Sequence, residues 1–288
     1  MIEMAADTIP TGVSSTGASN KEIQAIEMGE AEAWGDLQRS SQGDYRARLG
    51  IHVERIGGSV VLIAPGTPLL LFNRVIGLGV TEPVTEHLVK DIISCYRQHG
   101  VQQCLIHSNP IADQMGLPNI LGREGIALID AWAKMQRAST PRIAASGSLH
   151  VQQIQPQQAE LFGKVACEGF GMPAIMAEGF GAAVGRTGWF HYLAFDGTTP
   201  VGTAAMFVRD GIAWLGIAST RPAYRRRGGQ LALLARRIND AAGLGCGHLI
   251  AETRQHQPEQ PNSSFHNMVR AGFRLAYLRR NYLLTISP

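Results

Sequence analysis

One short segment of the chain concentrates the residue types that bind phosphate. The sequence TRPAYRRRGGQ, residues 220–230, places three consecutive arginines directly before Gly228 and Gly229. Because a strand is predicted before this segment and a helix after it, the unpaired first amides of the helix and the positive end of its dipole would face an anion. The glycines allow close approach, and the arginines add charge-assisted hydrogen bonds. The segment therefore predicts a pyrophosphate-binding loop.

Three other uses of this loop compete with that prediction. A nucleoside triphosphate hydrolase would place Lys and Ser or Thr after the glycines, whereas Gln230 and Leu231 stand there in this chain, which disfavours that reaction. An exposed basic turn and a nucleic-acid surface stay as alternatives. Aromatic residues spaced for base stacking are missing nearby, and a net charge of +3 gives no broad basic footprint, so no nucleic-acid partner is expected.

Composition sets the broad class of the protein. Of 288 residues, 45% are hydrophobic and 17% are charged, enough apolar material for one globular core or two smaller ones. The four cysteines stand far apart, so we expect reduced thiols and no metal site; they are Cys95, Cys104, Cys167 and Cys246. The N-terminal residues do not resemble a signal peptide, and no apolar run is long enough to span a membrane. The expectation is a soluble, cytoplasmic protein.

Hydrophobic patterning predicts an α/β (α+β) chain in two halves. In the first half, β-rich runs (HVERI, SVVLIAP, LLLFNRVIGLGV) precede a helix from about Thr85 to Gly100 and a strand VQQCLIHS. In the second, a helix near Gln155 precedes strands WFHYLAFD, PVGTAAMFV and GIAWLGIAST, separated by Asp-Gly turns. A helix over 229–242 and strands GHLIAET and FRLAYLRRNYLL complete the chain.

The two halves repeat one order of elements, which favours a duplication. In each, a helix, a glycine stop, a strand, a short helix and a last strand recur. The first half has TEPVTEH where the second has its arginine-glycine loop, so only the second half is expected to bind the ligand. The predicted organisation is a flexible tail (1–30), a first domain (31–138), a linker (139–148) and a ligand-binding domain (149–288).

The segment IASTRPAYRRRGGQLALLARRI resembles the acyl-CoA-binding motif of the GNAT superfamily of N-acetyltransferases. Arg225 and Gly228 match the pattern Arg or Gln, two residues, Gly, one residue, Gly or Ala, whereas Gln230 departs from its last position. Farther on, NSSFHNMVRAGFRLAYLRRNY resembles the closing element of the family. The resemblance covers about residues 150 to 286, and it implies that the first half is a degenerate GNAT-like domain.

This resemblance implies two tandem GNAT-like domains, each with a mixed, mostly antiparallel sheet flanked by helices. In the C-terminal domain, the sheet would splay between its fourth and fifth strands to admit the pantetheine arm of acetyl-CoA. The residues carried over as contacts of this co-substrate are Ala218, Ser219 and Thr220 for the arm, Arg225, Arg226, Arg227, Gly228, Gly229 and Gln230 for the pyrophosphate, and Asn262, Ser264 and Asn267 for the pantetheine or the thiol.

Amine acetylation also needs a base, an oxyanion site and a route for the leaving thiolate. Glu252, at the end of HLIAET, is the leading candidate for the base, with His191 and Glu178 as alternatives. Many GNAT enzymes carry a tyrosine acid where this chain has Met268. Either the thiolate leaves unassisted, or one of three other residues supplies the proton, namely Tyr277, Tyr282 or His266. Phe170, Met172 and Phe180 are expected to line the acceptor pocket.

The expected function is transfer of an acetyl group from acetyl-CoA to a primary amine in a direct ternary complex. The acceptor would be a small molecule or a peptide, and a homodimer is one expected form. A non-catalytic acyl-CoA-binding regulatory module is the alternative, which the departure at Met268 keeps open.

Overall fold

The computed structural model describes residues 17–144 and 149–286 and contains one mixed sheet flanked by helices. The first half comprises α1 (Asn20–Ser40), α2 (Gly43–Leu49), β1 (His52–Ile56), β2 (Ser59–Ile63), β3 (Arg74–Ile76), α3 (Glu86–Gln98), β4 (Gln103–Ser108), α4 (Pro110–Gln114), α5 (Leu117–Arg123) and β5 (Ala127–Ala138). The second comprises β6 (His150–Gln153), α6 (Ala159–Phe170), α7 (Ala177–Gly181), β7 (Trp189–Asp196), β8 (Thr199–Arg209), β9 (Ile212–Thr220), α8 (Gly229–Gly243), β10 (His248–Arg254), α9 (Ser263–Arg270) and β11 (Arg274–Thr285).

Local sequence signals explain most of these bounds. Thr85 caps α3, as its side chain accepts a hydrogen bond from the amide of Leu88, and the Asp-Gly turns join β7 to β8 and β8 to β9. These predicted helices and strands are confirmed. The run LLLFNRVIGLGV is only partly a strand, since Leu70–Phe72 forms a 3₁₀ turn before β3.

The predicted flexible tail is wrong for residues 20–30, which belong to the long helix α1. Ser19 and Glu22 form a capping box at its start, and Ile23, Ile26 and Trp34 are buried in the core. Burial of these side chains offsets the entropy of ordering the segment. Residues 1–16 of the predicted tail lie outside the described residues.

The two halves share one sheet because their last strands are exchanged. The strand order is β1-β2-β3-β4-β11-β5-β10-β9-β8-β7-β6. The last strand of the first half, β5, pairs with β10 of the second, and β11 of the second half pairs with β4 of the first. Since β5 and β11 also pair with each other over most of their lengths, neither half completes its sheet alone.

The internal repeat predicted from sequence is present in the topology. Two parallel pairs, β3 with β4 and β9 with β10, are each joined by a crossover that includes one helix of 13 or 15 residues, α3 or α8. The domain boundaries stay a prediction. The first part of the predicted linker is held against α8, because Ile143 and the side chain of Asn239 exchange two hydrogen bonds. Residues 145–148 of that linker lie outside the described residues.

No helix in the described ranges has both the length and the apolar character that a membrane crossing requires.

Candidate functional site

The parallel strands β9 and β10 separate toward their C-terminal ends. Their pairing runs from His248 opposite Ile212 to Ala251 opposite Leu215, and β9 continues to Thr220 without β10 beside it. This edge of β9 faces no other described strand, although side chains already donate to the carbonyls of Gly216, Ile217 and Thr220. An extended ligand could bind to the remaining backbone groups as an added strand does. The fork is the splay that the sequence led us to expect.

A bulge in β9 shapes the fork. The register between β8 and β9 shifts near Gly216, and Ile217 has a φ of 47°, which is rare for a β-branched residue. A Cβ at Gly216 would overlap the ring of Trp214, so any larger residue there would force that ring to move. Buried Arg237 on α8 donates hydrogen bonds to the carbonyls of Ala205 (3.1 Å) and Gly216 (3.4 Å), which holds the bulge in place.

A cavity of about 170 Å³ opens at this fork and draws its walls from both halves of the chain. The second half supplies residues of β9, α8 and α9 and the aromatic rings of Phe170 and Phe180. These two belong to the three residues predicted to line an acceptor pocket, and the third, Met172, is not among the described lining residues. The first half supplies Trp34 and Leu71. The ring of Trp34 packs edge-on against Trp214 with the centroids 5.9 Å apart. The cavity is therefore mainly apolar and aromatic, with Glu252 at one side.

The arginine-glycine loop lies at the start of α8. Gly228 is the N-cap residue with a φ of 79° and offers no side chain to the helix, so the first amides of α8 can bind a ligand. Gly229 is the first residue of the helix. Arg226 is exposed and has a φ of 64°, which turns the backbone sharply between its neighbours. This geometry fits the predicted anion cradle.

The other two arginines of the loop have partners within the protein. Arg225 donates hydrogen bonds to the carbonyls of Thr220 (3.3 Å) and Gly169 (2.9 Å), which ties the loop to the end of α6. Arg227 forms an ion pair with Asp196 (2.7 Å) and is half-exposed. These contacts hold the loop backbone on both sides. Of the three arginines, Arg226 is therefore the one whose exposed guanidinium is best placed to bind a ligand.

Gln230 and two of the closing-element residues form one hydrogen-bonded group between α8 and α9. Gln230 donates to the hydroxyl of Ser264 (2.6 Å) and accepts from the side chain of Asn267 (2.8 Å). Ser264 and Gln230 also line the cavity. Asn262 has a structural role, because its side chain caps α9 and donates to Thr253 (2.9 Å) at the end of β10.

The three residues carried over to the pantetheine arm lie on β9 beyond the fork. Ala218 lines the cavity. Ser219 is buried, and its hydroxyl lies 2.9 Å from the hydroxyl of Thr203 on β8, so its side chain contacts the sheet interior. Thr220 is half-buried at the end of the strand. Of the three side chains, that of Ala218 is therefore the one directed to the cavity.

Glu252 belongs to a buried ionic cluster that joins the two halves. Three acids, Glu27 and Glu30 on α1 and Glu252 on β10, lie among Arg74 on β3, Lys134 on β5 and Arg279 on β11. Glu252 accepts hydrogen bonds from Lys134 (3.2 Å) and Arg279, and Arg74 lies 3.5 Å from it. Three acids thus balance three cations inside the protein.

This cluster makes Glu252 a poor general base, contrary to the sequence-based assignment. Burial raises the pKa of its carboxyl, but the charges of Arg279, Lys134 and Arg74 outweigh burial and lower the pKa to about 2. A base that works at neutral pH has a pKa much closer to 7. Glu252 can accept a hydrogen bond from an acceptor amine without taking up its proton.

The alternative bases do not lie at the cavity. His191 is buried in the core with its ring stacked on Trp189, and burial lowers its pKa to about 3. Glu178 is exposed on α7 and lines a separate concavity of about 510 Å³ that includes no residue of β9, β10 or α8. Both assignments are corrected by this placement, because neither residue is among the described residues that line the cavity at the fork.

The alternative acids are also displaced from the fork. Tyr282 on β11 pairs with Ile106 and packs in the core of the first half. The hydroxyl of Tyr277 donates to Glu27 (2.6 Å), and burial followed by the charge of Glu27 raises its pKa. His266 is exposed on α9, beside His256. Met268, at the position of the usual family tyrosine, does line the cavity.

Several residues of the site were not identified from sequence. Trp34, Leu71, Arg74 and Lys134 belong to segments without a recognised motif, whereas Arg237 and Arg279 lie within the two segments that resemble the family but were given no role there. The Ser19-x-x-Glu22 capping box would have revealed α1, and with it Trp34. The cations could not be found, because a charged residue within a strand pattern carries no signal of the partner that it meets across the sheet.

Comparisons with known proteins bear on the fold. No protein-family model matches the chain, and neither does any curated protein. Among solved structures, a GCN5-related N-acetyltransferase from Kribbella flavida is 15% identical, with 92% of this chain and 96% of that chain covered and a TM-score of 0.60. A GCN5-related N-acetyltransferase from Sphaerobacter thermophilus is 16% identical, with 98% of both chains covered and a TM-score of 0.59.

These matches show that the chain has the GNAT fold. A tandem GNAT protein from the clavulanic acid biosynthesis pathway is 15% identical, with 92% of this chain and 97% of that chain covered and a TM-score of 0.55. Since the alignment spans nearly the whole of both chains, the fold is the tandem form with two GNAT-like units. The resemblance inferred from the sequence is confirmed at the level of the fold.

Proposed function

We propose that the protein transfers an acetyl group from acetyl-CoA to a primary amine. The observation that carries the proposal is the fork between β9 and β10, which lies beside a braced arginine-glycine loop at the bare start of α8 and opens into an apolar cavity. The loop amides and Arg226 would bind the pyrophosphate, and the open edge of β9 would pair with the pantetheine amides. The thioester would then reach the cavity.

The acceptor amine would enter from the side formed by the two halves and attack in a ternary complex. Trp34, Leu71, Phe170 and Phe180 favour an acceptor with an apolar or aromatic group near its amine. Glu252 would orient the amine through a hydrogen bond. Because the pKa of Glu252 is about 2, the proton passes to solvent or the amine reacts in its neutral form.

The leaving thiolate would depart without a protein acid. Met268 lines the cavity and has no proton to donate, and the hydroxyl of Tyr277 is engaged by Glu27. A thiol with a pKa of about 8.5 is a good leaving group, so unassisted departure is chemically reasonable. The rate should then rise with pH as the fraction of neutral amine increases.

Two measurements test the proposal. Isothermal titration with acetyl-CoA should show one site per chain, and the absence of heat at high micromolar acetyl-CoA would reject it. Free-thiol release from acetyl-CoA should then be followed with a panel of amines, from small polar amines to aromatic amines and peptides. We expect thiol release to be faster with an aromatic amine than with a polar amine of similar size.

A second candidate function is an acyl-CoA-binding module without turnover. The observation that favours it is the chemistry of the cavity wall, where the ionisable side chains among the described lining residues are Glu252 and Arg237, and burial lowers the pKa of Arg237 only to about 10. Such a module would bind acetyl-CoA in the titration and release no thiol above the rate in buffer with any amine of the panel. The predicted cytoplasmic location, homodimer and absence of nucleic-acid partners stay proposals.

A further inference from the structure

A group of possible metal ligands lies far from the fork, at the outer edge of the first half. His52 and Glu54 are two residues apart on β1, so their side chains share one face of the strand. His99 follows the last residue of α3 as its C-cap. One ligand atom from each of the three residues lies within 4.8 Å of those of the other two. Six strands separate β1 from β9 in the sheet order, so this group cannot take part in acetyl transfer.

The hydrogen bonding of His99 prepares its ring for a metal ion. Its Nδ1 lies 2.9 Å from the carbonyl oxygen of Cys95, so Nδ1 carries the proton and donates it to that carbonyl. The lone pair is then on Nε2. Histidines that bind metals typically donate their other ring N–H to a carbonyl or carboxylate in this way, which fixes the tautomer and the ring direction. The same hydrogen bond ties His99 to the last turn of α3.

The ring of His52 faces that of His99. Their centroids are 5.0 Å apart with an angle of 52° between the ring planes. His52 and Glu54 are exposed, so their side chains can rotate at little cost. Ligand atoms bound to one zinc ion lie about 3.4 Å apart, given bonds of about 2.1 Å in a tetrahedron. The ligand atoms lie within 4.8 Å of one another, so rotation of the two exposed side chains has little more than about 1 Å to close.

We propose that His52, Glu54 and His99 bind one zinc-type divalent ion, with water in the fourth position. Two imidazoles and one carboxylate are a ligand set that zinc accepts. The ion would join the edge strand β1 to the end of α3, and it would stabilise the first half by binding only its folded form. This proposal departs from the sequence-based expectation of no metal, which rested on the spacing of the four cysteines.

Direct metal titration tests the proposal. Tag-free protein is first dialysed against a chelator, and then titrated with Zn²⁺ by calorimetry and with Co²⁺ by visible absorption. The expected result is one site per chain and the d–d bands of tetrahedral Co²⁺. Absence of saturable Zn²⁺ binding would overturn the proposal. An intense thiolate-to-Co²⁺ band would also overturn the assigned ligand set, because Cys95 lies beside His99 and would then be a ligand.

Substitutions locate the site. His52→Ala, Glu54→Gln and His99→Ala should each weaken Zn²⁺ binding by about 10- to 100-fold or more. His150→Ala is the matched control, since His150 is an exposed histidine on β6, the strand at the opposite edge of the same sheet. Zn²⁺ should raise the melting temperature of the wild type and of the control, but not that of His52→Ala. Equal Zn²⁺ affinity in all four variants would overturn the proposal.

Discussion

Replacing Glu252 with glutamine tests the interpretation that this carboxylate is a charge partner and not a base. The side chain is only 16% exposed and is surrounded by Arg74, Lys134 and Arg279. Lowering the pKa from its ordinary value of 4.5 to about 2 corresponds to about 3 kcal/mol of folding free energy, at about 1.4 kcal/mol per pKa unit. The removal of one partner from a buried ion pair typically costs a similar amount, about 3–5 kcal/mol. The free energy of unfolding of Glu252→Gln should therefore be about 3 kcal/mol lower than that of the wild type at neutral pH.

The pH dependence gives this prediction a definite sign. Because folding lowers the pKa of Glu252, its ionised form contributes its full stability above about pH 4.5, and that contribution is lost as the pH falls from 4.5 toward 2. The difference in the free energy of unfolding between the wild type and Glu252→Gln should thus be constant from about pH 7 to pH 5 and become smaller below pH 4.5. Urea unfolding followed by circular dichroism measures it at each pH.

A matched control variant shows whether the loss of stability arises because the charge is buried or only because a charge is removed. Glu86 forms an ion pair with Arg123 in which both side chains are more than half exposed, so Glu86→Gln should unfold within error of the wild type. Activity per folded molecule provides the second comparison. If Glu252→Gln is as stable as the wild type but has lost acetyl transfer, the carboxylate acts in the chemistry and its role as a buried charge partner is refuted.

Three further predictions concern the loop, the leaving group and the bulge. Arg226→Glu should weaken acetyl-CoA binding at least tenfold in calorimetry. The control Arg97→Glu, at an exposed arginine of α3, should leave the affinity unchanged. Equal effects of the two substitutions would contradict the assigned loop. If thiolate departure limits the rate, Met268→Tyr should increase thiol release relative to Met268→Phe, which adds a ring of the same size without a hydroxyl; equal rates would show that departure needs no acid. Gly216→Ala should lower the free energy of unfolding by about 1–3 kcal/mol, because its Cβ would overlap an indole ring. Gly122→Ala, in α5 with open space around the added carbon, should not be destabilising, and a comparable loss there would argue against the clash.

The fold was largely predictable because its elements follow local rules. The strands β7, β8 and β9 and the helices α3 and α8 are bounded by turn and cap residues that act over a few positions. The repeated order of these elements predicted two similar halves. The arginine-glycine loop was recognisable for the same reason, since a helix start and its glycines are adjacent in the chain.

What could not be predicted depends on contacts between distant segments. Lys134 and Glu252 are 118 positions apart and meet only because β5 pairs with β10. The exchange of β5 and β11 leaves no mark in either strand's own sequence, because the alternation of side chains along a strand does not specify which strand pairs with it. The pKa of Glu252 is set by these neighbours, so its unsuitability as a base followed from the sheet order and not from its place at a strand end.

The exchanged strands also bear on how the protein is made. During synthesis, β11 leaves the ribosome after every other described strand, yet it fills the position between β4 and β5. Until it arrives, β4 and β5 each keep an unpaired edge that other chains can bind. The sheet of the first half is therefore complete only after β11 has paired with β4 and β5.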